Sequence, residues 1–180
     1  NLFNSLNILY ENSINNPMIC VEIGSFEGKG SLLIADKLCK NKDSKLYCID
    51  PLDNKYVKDN TNLSFWDNVC NGQKDRFYYN TKNHSNIILL EGTSDEMISK
   101  IEDNTINFAY VDGDHSPEQV YKDAINILPK MKSNSIILFD DYEFNINNVK
   151  TSIGIDKFLS EIEDKYELLF KKYQLAIRIK

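Results

Sequence analysis

The chain has 180 residues, is 42% hydrophobic and carries a formal net charge of −6, which is enough for one domain whose core needs no disulfide or metal to fold. Its acidic balance, with a sequence pI near 5.0, removes the general attraction that sequence-independent binding to a phosphate backbone requires, so long nucleic acid is a poor partner. No stretch reaches the ~20 apolar residues of a membrane span, and residues 1–17 lack a basic segment followed by an apolar one, so neither a membrane partner nor a signal peptide is expected and the cytoplasm is the expected location.

Residues 1–17 read as an N-terminal helical extension, in which Phe3, Leu6 and Tyr10 would cover a binding site or meet a second copy of the chain in a homo-oligomer. The first residue is Asn1 rather than Met, as in a piece taken from a longer protein. Residues 18–180 read as a single domain. Within it, short apolar, β-branched runs at Met18–Ile23, Leu46–Ile49, Ile87–Leu90, Ile106–Val111 and Ile136–Phe139 predict strands, alternating with amphipathic segments at Ser31–Lys40, Asp95–Ile101 and Pro117–Met131. That alternation is the signature of parallel βαβ units. Ser116, Pro117 and Glu118 have the character of an N-cap, a first-turn proline and an acidic first turn, so a helix should start there. From Pro51 to Asn86, Trp66, Phe77, Tyr78 and Tyr79 predict a helix whose aromatic face covers the sheet or meets a substrate. After Phe139 come a polar loop at Asn145–Asn148, a helix near Ile155–Lys165, and two strands, Tyr166–Tyr173 and Gln174–Ile179, expected to form an antiparallel hairpin at a sheet edge. Cys20, Cys39, Cys48 and Cys70 form no CxxC pair and read as reduced and mostly buried, and His84 reads as a surface residue.

Chemistry concentrates where strands end. Val21-Glu22-Ile23-Gly24-Ser25-Phe26-Glu27-Gly28-Lys29-Gly30-Ser31 runs from a strand through a glycine-rich turn into a helix, a shape that lets backbone approach a ligand closely. Phe26 stands where a dinucleotide-binding G-x-G-x-x-G turn needs its second glycine, which argues against a pyrophosphate site. Asp50 closes the second strand about 20 residues beyond the turn, where a carboxylate accepts from two ribose hydroxyls. Thr93 and Ser94 follow the third strand, either as ligand contacts or as a helix N-cap. Asp112, with Gly113, Asp114 and His115 after it, closes the fourth strand, and Asp140 and Asp141 close the fifth. Neighbouring strands end about 5 Å apart, so these carboxylates would converge beside the glycine turn. Crowded oxygen ligands suit a hard cation such as Mg²⁺, unless the two motifs are turns that each hold one hydrogen-bonded Asp.

Taken in order, VEIGSFEGKGS, YCIDP, EGTSDE, YVDGDHS and ILFDDYE resemble the motifs of class I S-adenosylmethionine (SAM)-dependent methyltransferases. Among these they are most similar to the metal-dependent small-molecule O-methyltransferases, of catechol type and of macrolide and aminocoumarin sugars. The resemblance spans Met18 to Lys180. It implies an α/β fold, a Rossmann-like, doubly wound, mostly parallel seven-stranded sheet with an antiparallel C-terminal hairpin and helices on both faces. It also implies methyl transfer from SAM to a hydroxyl of a small molecule, a sugar among the candidates. Glu22, Gly24 and Ser25 would hold the methionine part, with Phe26, Gly28, Gly30 and Ser31 completing the cofactor turn. Asp50 would take the ribose, and Thr93 and Ser94 the adenine. Asp112 would be a catalytic residue as well as a cofactor contact, and together with Asp140 and Asp141 it would bind Mg²⁺ or another divalent cation. His115 falls where the catechol-type enzymes carry a lysine, which leaves the base open between His115 and Asp114; a histidine ordinarily titrates near 6.5. Three other readings stand beside this one: a metal-independent methyltransferase of the same fold, an NAD-dependent enzyme, and a binding module that kept the fold without turnover.

Overall fold

The structure is a computed structural model that describes residues 2–53, 68–146 and 149–180. Its centre is a seven-stranded sheet of β1 (Ile19–Ile23), β2 (Lys45–Asp50), β3 (Ile87–Glu91), β4 (Ile106–Val111), β5 (Met131–Phe139), β8 (Tyr166–Lys171) and β9 (Leu175–Ile179), in the order β3-β2-β1-β4-β5-β9-β8. The first five strands are parallel, and β9 pairs antiparallel with both β5 and β8. This is the expected doubly wound sheet, and the C-terminal hairpin forms its edge.

The helices are α1 (Leu2–Asn15), α2 (Lys29–Leu38), α3 (Gln73–Thr81), α4 (Ser94–Met97), α5 (Pro117–Ile127) and α6 (Ser152–Glu161). Central strands are apolar on both faces because both faces are covered. Alternation along β1 sends Val21 and Ile23 into one core with Val120 and Ala124 of α5 and Phe158 of α6. Cys20 faces the other core, with Leu6 of α1, Ile34 and Leu38 of α2 and Phe77 of α3. Helix α1 thus shares a core with the sheet, and its Ser13 hydroxyl donates to the Lys37 carbonyl at the end of α2. Cys20, Cys39 and Cys48 are buried, Cys70 is half-buried, and all four are free. Among the described residues no helix is long and apolar enough to cross a membrane.

Register places the site. Ile23 pairs with Ile49 on one side and Val111 on the other, and Val111 pairs with Phe139, so four strands end level. The residues that follow, Gly24, Asp50, Asp112 and Asp140, therefore emerge along one edge, at the point where strand order reverses between β1 and β4.

Some expectations need correction. The helix expected to reach Met131 ends at Ile127; a 3-10 turn, Leu128–Lys130, follows because Pro129 has no N–H to continue the ladder, and Met131 already belongs to β5. The Asn-rich loop contains a small antiparallel pair, β6 (Asn145–Ile146) with β7 (Val149–Lys150), while Asn147 and Asn148 lie outside the described residues. Of the three rings in α3, Phe77 is buried and Tyr78 and Tyr79 are exposed. Consecutive helical residues point about 100° apart, so the three rings form no common face. Residues 54–67 of the Pro51–Asn86 stretch, Trp66 among them, and the side chain of Phe3 fall outside the described residues. His84 is not a free surface residue: its Nε2 lies 3.0 Å from Asp36 Oδ1 of α2, and its side chain is 26% exposed.

Candidate active site

The turn after β1 is shaped by contacts that only glycine permits. Gly24 has φ +87°, and a Cβ there would lie 2.1 Å from the Asp112 carbonyl oxygen. The backbones of the first and fourth strand ends therefore touch, tied by Asp112 N–H donating to the Ile23 carbonyl at 2.9 Å and Gly24 N–H to Ile49 at 2.9 Å. Phe26 continues the turn with φ +47°, and its N–H donates to Asp50 Oδ2 at 2.8 Å. Asp50 Oδ1 accepts from Leu52 N–H at 2.8 Å. Burial raises the Asp50 pKa against the pull of these backbone bonds. Gly28, also at positive φ, serves as the N-cap of α2.

Glu22 lies beneath the turn, 1% exposed. Ser31 of α2 donates to its Oε2, as does the Cys48 thiol at 3.7 Å, and Gly30 is small enough for Glu22 Oε1 to pass, since a Cβ there would sit 2.2 Å from it. Burial lifts the Glu22 carboxyl to about 7, opposed by the Ser31 and Cys48 bonds and reinforced by the charge of Asp50. A cleft of about 440 Å³ opens here, lined by Glu22, Gly24, Ser25, Tyr110, Asp112 and Gln174, among others.

Farther along the edge, Thr93 acts as the N-cap of α4, its N–H and hydroxyl both donating to Glu96 Oε2 at 3.3 and 2.9 Å. The Ser94 hydroxyl proton goes to Asp123 Oδ1 of α5 at 2.6 Å, and Gln119 Nε2 donates to the same oxygen at 3.0 Å. Burial raises the Asp123 carboxyl to about 6 in spite of these two donors. Ser94 keeps lone pairs to accept with, but its own proton is committed.

The acidic cluster assembles differently from the simple convergence of three carboxylates. Asp140 is a hydrogen-bond hub: Tyr110 donates its phenol to Oδ2, while Gln174 Nε2 and the Asp141 N–H donate to Oδ1 at 2.7 and 2.9 Å. Asp141, in a left-handed conformation (φ +52°), accepts from the Tyr173 phenol through Oδ1, and its Oδ2 lies 3.3 Å from His115 Nδ1. One ligand atom each from Asp112, His115 and Asp141 lie within 4.8 Å of one another, a grouping that could hold a metal ion. His115 packs on Phe144 with ring centroids 5.0 Å apart, and its carbonyl accepts from Thr151. Asp114 accepts from Ser116 N–H at 2.7 Å at the entrance to α5. Burial first, then the charges of Asp140, Asp141 and Glu22, push Asp112 up to about 8 against its bond with Tyr110. The Tyr110 phenol is likewise held far above its usual range by burial and by Asp112 and Asp140.

The sequence reading gave no role to Tyr110, although it opens the YVDGDHS motif, nor to Asp123, Tyr173 or Gln174. Tyr110 was within reach, because two-residue periodicity along β4 puts it on the same face as Asp112. Nothing local marks Tyr173 or Gln174, which arrive from the C-terminal hairpin.

The fold matches solved structures over almost the entire chain. The O-methyltransferase NovP superimposes with a TM-score of 0.71 at 15% identity, over 99% of this chain and 79% of that one. The O-methyltransferase TomG from Streptomyces achromogenes, in complex with SAM, gives 0.66 at 11% identity over 97% and 78%, and a SAH-bound methyltransferase from Podospora anserina gives 0.65 at 13% over 99% and 77%. No curated protein sequence matches the chain. The family profile described as a methyltransferase domain matches residues 21–142, and the chain belongs to that family.

Proposed function

We propose that this chain transfers a methyl group from SAM to a hydroxyl of a small molecule, with help from a divalent cation. The observation that carries the reading is that one cleft is lined both by the glycine turn of β1 and by Asp112, the first carboxylate of the cluster, at the end of β4. Bound there, SAM would supply a methyl group on a positively charged sulfur. The residues suit it: Asp50, held by backbone N–H groups of the turn and of Leu52, keeps acceptor capacity for a ribose hydroxyl, and Gly24 without a Cβ lets the turn close against the end of β4. The SAM and SAH complexes of two proteins with this fold support the same choice of donor, and the O-methyltransferases among them support an oxygen acceptor.

Asp112, His115 and Asp141 would hold the cation. Two carboxylates and an imidazole accommodate Mg²⁺ or a first-row divalent ion, and the buried charge that raises Asp112 is the kind a cation relieves. A cation in that position would acidify and orient the acceptor hydroxyl. Asp140, anchored by three donors, fixes Tyr110 and Gln174 as walls of the cleft, and Asp114 would be left to take the proton. A second reading is favoured by the His115–Asp141 contact: an Asp-oriented imidazole needs no metal to act as a base, with its Nε2 receiving the acceptor's proton.

Transfer of a labelled methyl group from SAM to a panel of sugars and phenols, with and without chelator, tests both. The expected result is turnover that chelation lowers by about a hundredfold or more, and that Asp141→Ala abolishes while SAH affinity, measured by calorimetry, shifts by less than about threefold. Full turnover in chelator moves the assignment to the His115–Asp141 pair. A chain that binds neither SAM nor SAH rules out the reading altogether.

A further inference from the structure

Gln174 sits at the tip of the β8–β9 hairpin, where Lys172 N–H donates to its carbonyl, one residue before Leu175 pairs with Phe139 of β5. Its Nε2 donates to Asp140 Oδ1 at 2.7 Å. A carboxylate oxygen only accepts, so this bond fixes which end of the amide is nitrogen and turns Oε1 the other way. Oε1 is buried and meets no donor among the described residues, although Gln174 lines the cleft with Glu22 and Asp112. A buried acceptor without a donor is costly, and here it stands among groups that also accept. Glu22 Oε2 is occupied by Ser31 and Cys48, whereas Oε1 reaches across Gly30.

A cleft whose lining includes three acceptor side chains, Glu22, Asp112 and Gln174, matches a compact group that only donates and does so several times. An ammonium has three N–H donors and no acceptor, whereas a hydroxyl offers one. Lys29, at the first residue of α2, lines the same cleft and supplies the opposite charge. Acceptors together with a cation at a helix N-terminus complement a zwitterionic amino acid.

We propose that Gln174 binds the amino-acid tail of the methyl donor, its amide oxygen accepting a hydrogen bond from the α-ammonium group alongside Glu22 and Asp112. The assignment rests on the SAM reading of the cleft. It gives the C-terminal hairpin a share in cofactor binding, since the amide that holds Asp140 on one side holds the donor on the other.

Calorimetric titration with SAH and with 5′-methylthioadenosine, which lacks the amino-acid tail, separates the possibilities in the wild-type chain, Gln174→Met and Gln174→Ala. Both variants are expected to lose about ten- to a hundredfold in SAH affinity, as for a hydrogen bond to a charged group, while 5′-methylthioadenosine shifts by less than about twofold. Unchanged SAH affinity in the variants overturns the assignment, and so does an equal loss for both ligands, because that would mean a distorted cleft rather than a missing contact. A wild-type chain without affinity for SAH removes the reading of the site and this assignment with it.

Discussion

The two halves of the cleft are built by different physics. The glycine-turn half is made of backbone: Gly24 presses against the Asp112 carbonyl, Phe26 N–H caps Asp50, and Glu22 has Ser31 and Cys48 as donors. The acidic half is made of side chains from four segments, with Asp112 and Asp140 from strand ends, His115 from a loop and Tyr173 and Gln174 from the distant hairpin. Steric exclusion fixes the Gly24 contact whatever the charge state. In the second half, burial first and then the neighbouring charges of Asp140 and Asp141 raise Asp112 to about 8, so its arrangement depends on a proton or a cation.

The sharpest way to break the first half is Gly24→Ala. The added methyl would meet backbone rather than a flexible side chain, at a φ that alanine tolerates poorly. Strain and overlap together are expected to cost about 3–5 kcal/mol in urea unfolding. A loss below about 1 kcal/mol would mean that the β1 and β4 ends slide apart easily and that the turn is no more rigid than the acidic cluster.

Glu22 lies between the two halves, and its protonation links them. Its carboxyl stands at about 7 in the folded chain against an ordinary 4.5. Between those values the folded state keeps a proton that the unfolded state has released. Its contribution to stability is therefore complete below about pH 4.5 and is lost as pH rises towards and through 7, on the order of 3 kcal/mol in all. Glu22→Gln should remove that slope: relative to wild type it gains stability at pH 8 compared with pH 5, in parallel urea titrations. An identical pH dependence in both proteins would place the raised pKa elsewhere, with Asp112 the next candidate.

The contrast between the halves also explains what the sequence made legible. Ile106–Val111 was readable to the residue, and the Gly24 turn, Asp50 and the Ser116–Pro117 helix start were readable as well, because each is written in contiguous residues obeying a local rule. The acidic half was legible in its carboxylates but not in its geometry. Asp140 reads as a metal ligand until Tyr110 and Gln174 are seen to claim both its oxygens, and the His115–Asp141 contact spans two loops. Whether a helix stops at Ile127 or Met131 turned on Pro129, a local signal outweighed by apolar periodicity. The partners of Gln174 depend on hairpin register against β5, which no pattern within the hairpin encodes.

The smallest effect expected is at Phe26, and it tests whether the turn half is purely structural. The residue has φ +47° and is 43% exposed, so it bears both the cost of a left-handed backbone and the cost of an apolar ring in water. Gly at this position relieves the backbone and preserves the N–H that Asp50 accepts. Phe26→Gly should therefore stabilise the chain by about 1 kcal/mol, a rise of a few degrees in melting temperature. If the ring packs on the bound donor, the same substitution should weaken SAH binding by about three- to tenfold, since a partly buried aromatic face would be lost from the complex. A variant that is more stable and equally tight would show that the turn contributes shape alone; a less stable one would show that the ring is held by the fold and that the left-handed backbone is the cost of that packing.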